Sequence, residues 1–343
     1  MRILLLGFGH VGRMLASILS SEQNVHHKIR QLDATVVGIV TLEHGCLYNP
    51  HGISLAEALE QYRIRGGFLP TAAGSKPRSA LEAVESVDYD VLVELTTLSI
   101  EHGGEPALSH LRAALRRSKH VVCANKGPLA FAYQELRGLA RSSCRQLLFE
   151  STVMDGAPVF SLARNGLRGC TVKALSGILN STTTYVLSQM ERGFSLSSAV
   201  EHAQQAGFAE RQPRHDLEGW DAAAKICVLW NALADANITP HDVERSGITH
   251  ITPAIAQEAV ARSRPIRLVA RAWTEAGRPR AVVRPEEIPL SDPLSVVSGT
   301  GAALRIETDC MNPILIMQEH PSVLDTAYGV LNDLLLVSEA ATP

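Results

Sequence analysis

Three carboxylates and one lysine stand within sixteen residues in the second half of this chain: Glu210, Asp216, Asp221 and Lys225. Asp221 and Lys225 are four apart. On a helix they project from one face, one turn apart. Ile226, Val228, Leu229 and Leu233 follow at roughly helical spacing and supply the apolar stripe such a helix buries. An ammonium held beside carboxylates can hand over and take back a proton. The same pair also reads as a solvated i,i+4 salt bridge on an amphipathic helix. Its company decides the matter. Gly177-Ile178-Leu179-Asn180-Ser181-Thr182-Thr183 precedes it, then Gly207-Phe208-Ala209-Glu210.

The elements that must position these groups follow in chain order. Arg2–Leu6 is an apolar run that predicts a strand, and Gly7-Phe8-Gly9-His10-Val11-Gly12 comes directly after it. G-x-G-x-x-G between a strand and a helix is a dinucleotide-binding turn. Gly7 permits the turn, Gly9 lets the backbone approach a pyrophosphate, and Gly12 lets the helix pack on the strand. The helix N-terminus then stabilises the phosphate charge. A purely structural glycine turn is the competing reading. The second strand, 34–40, runs into Thr41-Leu42-Glu43-His44. A NAD site places an acid at that strand's end, and Thr41 stands there instead. Glu43 could serve only if the strand ran two residues further, so NAD versus NADP stays open.

Asp90–Leu95 predicts a strand ending in Glu94-Leu95-Thr96-Thr97. His120–Cys123 predicts another that runs into Ala124-Asn125-Lys126-Gly127-Pro128. Open α/β sheets bind ligands beyond the carboxyl ends of their strands. Thr96, Thr97, Asn125 and Lys126 therefore belong to the cofactor edge. Plain solvent exposure is the alternative for Lys126. Helices at 55–62, 79–87, 105–117 and 129–141, with a strand at 146–149, complete a doubly wound unit.

The chain has 343 residues, 45% hydrophobic and 20% charged, which suits two ordinary globular domains. A net charge of −3 leaves no basic field for nucleic acid. No apolar run is long enough to span a bilayer, and glycines cut the first one too early for a signal peptide. The six cysteines show no CxxC or zinc spacing, which implies reduced thiols in a cytoplasmic protein. The thirteen histidines are dispersed.

Glu150-Ser151-Thr152-Val153-Met154-Asp155-Gly156-Ala157-Pro158 is a polar turn before a helix. A carboxylate and backbone carbonyls there could hold a hard cation; a capped helix start fits equally well. A strand at 171–179 and helices at 181–190, 196–205 and about 217–236 follow. Beyond Ile248 come short strands at 266–273, 281–285, 294–297 and 302–308. Pro279, Pro285, Pro289 and Pro293 mark loops and edges. A helix opened by Pro321 closes the chain. The predicted fold is α/β: a Rossmann dinucleotide-binding domain over 1–149 and an α/β catalytic domain over 150–300. The latter has a mixed sheet whose edge pairs in a dimer. Residues 301–343 are expected to pack back on the Rossmann domain.

Together these motifs resemble the homoserine dehydrogenase family along nearly the whole chain. The resemblance rests on Gly7-x-Gly9-x-x-Gly12, on Val121-Val122-Cys123-Ala124-Asn125-Lys126-Gly127-Pro128-Leu129 and on Gly177-Ile178-Leu179-Asn180-Ser181-Thr182. It continues through Gly207-Phe208-Ala209-Glu210, Asp216, Gly219, Asp221 and Lys225. It implies reversible hydride transfer between NADP or NAD and the C4 carbon of aspartate semialdehyde, giving homoserine for threonine and methionine biosynthesis. It implies that Lys225 exchanges the proton with the substrate oxygen and that Lys126 assists between cofactor and substrate. Glu210, Asp216 and Asp221 would bind the amino group or order the site, with Thr182 and Phe208 against the substrate. The cofactor contacts would take in the glycine loop (Phe8, His10 and Val11 included), Thr96, Thr97, Asn125 and Gly301. Glu150, Val153, Asp155 and Ala157 match the family's monovalent cation site, with sodium as the expected ion. The family also implies a homodimer. The residue chemistry agrees: hydride arriving at an aldehyde leaves an alkoxide that needs a proton donor, and a substrate ammonium needs carboxylates.

The chain departs from the family at four places. Phe208 replaces tyrosine, Gln212-Pro213 replaces Asp-Pro, Ser181-Thr182 replaces Gly-Thr, and Ala157 stands where glycine is common. The lysines and acids are intact. An end at Pro343 predicts no C-terminal regulatory domain, no threonine feedback in cis and no attached aspartokinase. Phe208 and Gln212 favour the rival reading of a related oxidoreductase acting on another amino-acid-like alcohol or aldehyde. A cofactor-binding regulator without chemistry would have lost these lysines and acids.

Overall fold

The computed structural model describes residues 1–21, 29, 32–68, 79–207, 209 and 213–341. The chain forms two compact units: Met1–Pro158 with Ser322–Pro343, and Val159–Pro321.

The first unit contains strands β1 (Arg2–Leu6), β2 (Thr35–Val40), β3 (Cys46–Tyr48), β4 (Val91–Glu94), β5 (His120–Cys123) and β6 (Leu147–Leu148). Its helices are α1 (His10–Ser20), α2 (Leu55–Arg65), α3 (Ala80–Ser86), α4 (Ala107–Arg116) and α5 (Lys126–Ser142). The sheet order is β3-β2-β1-β4-β5-β6, with all neighbours parallel except the β2–β3 pair. Ile3–Leu6, Val91–Val93 and Val121–Cys123 are all buried. Parallel strands covered on both faces read as such unbroken apolar runs. The glycine loop leaves β1 where the strand order reverses, the usual ligand crevice of such sheets.

β3 was not foreseen. It arises because Thr41 closes a hairpin, its hydroxyl donating to the Gly45 carbonyl at 2.7 Å and accepting from the His44 N–H at 2.9 Å. β2 therefore ends at Val40, and Glu43 sits exposed on the turn rather than at a strand end.

The second unit contains α6 (Val159–Gly166), β7 (Val172–Ile178), α7 (Ser181–Glu191), α8 (Leu196–Gln205), α9 (Arg214–Leu217) and α10 (Trp220–Leu233). Then come β8 (Glu244–Arg245), α11 (Pro253–Ala261), β9 (Ile266–Glu275), β10 (Arg278–Glu287), β11 (Ala302–Thr308) and β12 (Ile314–Gln318). The sheet, ordered β12-β11-β7-β9-β10-β8, is antiparallel apart from β10–β8. α7, α10 and α11 pack against β9.

Three expectations need correcting. The helix read over 217–236 is broken: Gly219 takes φ +81°, a left-handed turn that separates α9 from α10. Residues 294–297 are not a strand, because the Asp292 side chain caps a one-turn 3-10 helix with Pro293 at its start. Residues from 301 onward do not return together to the first unit. β11 and β12 complete the second sheet, and the domain break near 150 falls at 158.

Only the last helix, α12 (Val323–Ala341), joins the first unit. There it packs along α1, and Ala327, Val330, Leu331, Leu334 and Val337 enter one core with Ile3, Leu5, Leu15, Val36 and Val91. Among the described residues no helix is long and apolar enough to cross a membrane.

Candidate active site

Each unit gathers polar groups at the carboxyl ends of its strands. In the first, Gly7 has φ +91°, and a Cβ on it would lie 2.7 Å from the Leu95 carbonyl oxygen. A Cβ on Gly12 would lie 2.7 Å from the Gly7 carbonyl oxygen, so helix and loop meet only because both are glycine. A Cβ on Gly9 would meet nothing within 4 Å. Gly9 and His10 are exposed, and no side chain caps the α1 N-terminus. Its first N–H groups therefore face outward, the arrangement that accepts a phosphate. These features fit a dinucleotide. Phe8 contributes only backbone there, because its ring is buried 5.7 Å from Tyr62 and 5.2 Å from Phe68. Val11 is half-buried against the same core.

Beside the loop, Glu94 ends β4 fully buried. One carboxylate oxygen accepts the Thr96 N–H at 2.8 Å and the Thr96 hydroxyl; the other meets Nδ1 of buried His110 at 2.8 Å. Asn125 caps α5 by accepting the Gly127 N–H at 2.9 Å. Its amide donates to the Thr97 carbonyl at 3.1 Å and the Thr96 hydroxyl at 3.3 Å. One network thus fixes the loops after β4 and β5. It sets half-buried Lys126 at the first residue of α5, on the edge that carries the glycine loop.

In the second unit, β7 ends and α7 begins at Asn180, which is buried. Its amide oxygen accepts the Thr183 N–H and hydroxyl, both at 2.8 Å. Its nitrogen donates to Asp216 at 2.6 Å and to Asp221 at 2.9 Å. That uses both donors and both acceptor sites of the amide, so its orientation is locked. Lys225 Nζ donates to the Leu179 carbonyl at 2.7 Å and pairs with Asp221 at 3.0 Å. The i,i+4 pair is real, but with side chains only 16% and 12% exposed it is no solvated surface bridge. Asp216 on α9 and Asp221 in the first turn of α10 are brought together by the Gly219 turn. Thr182 is buried in the first turn of α7. Gly301 lies in the turn before β11, its N–H on the Ser298 carbonyl. Glu210, Phe208 and Gln212 lie outside the described residues.

The reading from sequence missed Asn180 and Glu94 as site residues. Both stand at strand ends inside motifs already noticed, and position beyond a strand was the available signal. The 150–158 turn has buried Glu150 on a one-turn 3-10 helix and Asp155 at φ +49°. The Asp155 carboxylate accepts the Thr326 hydroxyl of α12 at 2.8 Å, and the Glu150 N–H donates to Asp333 at 2.9 Å. No group of three or more His, Cys, Asp or Glu able to hold a metal occurs among the described residues.

The family described as homoserine dehydrogenase matches residues 158–335, and its NAD-binding domain matches 7–150. A homoserine dehydrogenase of Methanocaldococcus jannaschii is 32% identical over 336 residues, covering 98% of each chain. An NAD(+)-dependent homoserine dehydrogenase of Pseudomonas canavaninivorans is 31% identical, covering 99% of this chain and 97% of its own. The solved structure of a hyperthermophilic archaeal homoserine dehydrogenase in complex with NADPH superposes with a TM-score of 0.83 at 28% identity, covering 99% of this chain and 98% of its own. Fold, glycine loop and lysine–carboxylate cluster converge with these matches: the chain belongs to the homoserine dehydrogenase family of NAD(P)-dependent oxidoreductases.

Proposed function

We propose that the chain interconverts L-aspartate 4-semialdehyde and L-homoserine with Lys225 as the proton donor and acceptor. The observation that carries the assignment is the Lys225 ammonium, oriented between the Leu179 carbonyl and Asp221, with Asn180 tying Asp216 to the same cluster. The nicotinamide, when bound, supplies or accepts the hydride. Reduction turns the aldehyde oxygen into an alkoxide, to which Lys225 gives a proton; oxidation of the alcohol reverses the transfer. Asp216 and Asp221, with Glu210, receive the substrate ammonium, and Thr182 and Phe208 line the substrate. Lys126 assists at the cofactor edge, with Thr96, Thr97, Asn125 and Gly301 as further cofactor contacts.

The Glu150 carboxylate with the Val153, Asp155 and Ala157 carbonyls is a hard-oxygen donor set that fits a monovalent cation such as sodium. The exposed apolar Leu315 and Met317 of edge strand β12 support a homodimer; light scattering of the purified protein tests it. A cytoplasmic location agrees with six free thiols.

The deciding experiment follows reduced-nicotinamide absorbance with L-aspartate semialdehyde and NADH or NADPH in parallel. Turnover supports the reading, and the ratio of the two kcat/KM values sets the cofactor preference that Thr41 and Glu43 leave open. Cofactor binding without turnover would shift the substrate to another amino-acid-like aldehyde.

A further inference from the structure

The second unit carries a thiol pair outside the catalytic cluster. β7 and β11 are antiparallel, with Glu307 opposite Ala174 and Thr308 opposite Val172. The pairing continues one step past the strand ends. The Asp309 N–H donates to the Thr171 carbonyl at 3.1 Å, and the Thr171 N–H donates to the Asp309 carboxylate at 2.8 Å. The next step sets Cys310 against Cys170. Cys310 Sγ lies 3.8 Å from the Gly169 carbonyl oxygen, on the peptide that joins Gly169 to Cys170. Cys310 is exposed and Cys170 partly so. Opposed residues of antiparallel strands hold their Cβ atoms about 4.5–5.5 Å apart, and a disulfide needs about 3.5–4.5 Å. Both cysteines lie outside regular strands, Cys310 in the bend over 309–312, where a shift of that size is readily made.

We infer that Cys170 and Cys310 are a reversible disulfide site that staples the outer end of the second sheet. The bridge closes a loop that contains the whole Asn180–Lys225 cluster. It lies at the opposite end of β7 from that cluster, so it adds stability and leaves turnover unchanged. With glutathione disulfide as oxidant, the Cys170 thiolate attacks one glutathione sulfur and expels the other as a thiolate. Cys310 then attacks the Cys170 sulfur of the mixed disulfide and releases the second glutathione. Two S–H bonds and one S–S bond break, one S–S bond forms, and both protons end on the two glutathione thiols. Asp309 restrains the second step. Its carboxylate accepts the Cys310 S–H at 3.1 Å and, with the Cys170 thiol, pushes the Cys310 pKa up to about 11.

The test treats the fully reduced, full-length protein with glutathione disulfide. The expected product has lost the mass of two hydrogen atoms and gives a Cys170–Cys310 cross-linked peptide that dithiothreitol removes. Its Tm is about 5–10 °C above that of the reduced protein. Cys310→Ser should stall with glutathione on Cys170, and Asp309→Asn should close faster than wild type. Persistent alkylation of both thiols after oxidation, or a bridge to any other cysteine, would overturn the inference. A bridge without a rise in Tm would overturn the stapling role.

Discussion

Asn180 decides the geometry of the second unit's cluster. A single amide holds Asp216 and Asp221 on its nitrogen and the first turn of α7 on its oxygen. Lys225 then has a defined seat, since its carboxylate partner and the Leu179 carbonyl both lie beside that amide. Truncation of the lysine leaves the carboxylates in place and removes the proposed proton donor. Lys225→Ala is expected to lower kcat by roughly 10²–10⁴-fold, with reduced-cofactor affinity by fluorescence titration within about twofold. A near-normal kcat would remove Lys225 from the proton transfer. This pairing was legible from spacing alone, because i and i+4 on a helix must meet. The role of Asn180 was not, because its carboxylate partners lie far along the chain.

At the scale of elements, strand ends carry the site. β4 delivers Glu94 and β5 delivers Asn125, and the two side chains share Thr96 as a partner. The buried Glu94–His110 pair makes Glu94 a positioning residue for the Thr96–Thr97 loop. Glu94→Gln replaces one accepting oxygen by a donor facing Thr96 or His110. It is expected to raise the cofactor KM roughly tenfold or more. The change should fall on KM more than on kcat, with far-UV circular dichroism unchanged. A loss confined to kcat would contradict the positioning role. Most helices and strands were readable from periodicity, but β8 and β12 were not among the strands expected. The Gly219 break, the β2–β3 hairpin and the 3-10 turn at Pro293 were not readable either, because each depends on local backbone geometry within an otherwise ordinary pattern.

At the scale of the molecule, the chain leaves the first unit at Pro158 and re-enters it at Ser322. A fragment ending at residue 149 lacks α12 and with it five core side chains: Ala327, Val330, Leu331, Leu334 and Val337. Large buried side chains cost about 2–5 kcal/mol each when removed, against a typical total stability of about 5–15 kcal/mol. The fragment is expected to be unfolded by circular dichroism and not to bind NADH. A cooperative, cofactor-binding fragment would refute the role of α12.

Acid stability has a named contributor in the second unit. Burial raises the pKa of Glu286, but Arg271 and Arg284 outweigh it and hold the carboxyl below its ordinary value of 4.5. A depressed acid contributes stability that is fully present above that value and is lost as pH falls through the folded-state pKa. Glu286→Gln should therefore be less stable near neutrality and lose less of its stability on acidification. Parallel unfolding curves against pH for the two proteins would exclude this contribution.

The family and the reaction class came from the sequence alone, and so did the proposal of Lys225, Lys126, Asp216 and Asp221 as site residues. Motifs are local, and the chemistry needs particular residue types at particular spacings. The α/β class also came from it, since buried parallel strands and amphipathic helices have distinct periods. Tertiary structure decided what depends on long-range contact. It bound Asp216 and Asp221 to one amide, buried Glu94 against His110, closed the first core with a helix from the far end of the chain, and brought Cys310 beside the Gly169–Cys170 peptide. None of these has a short-range signature, because the partners come close only once the strands and helices are packed.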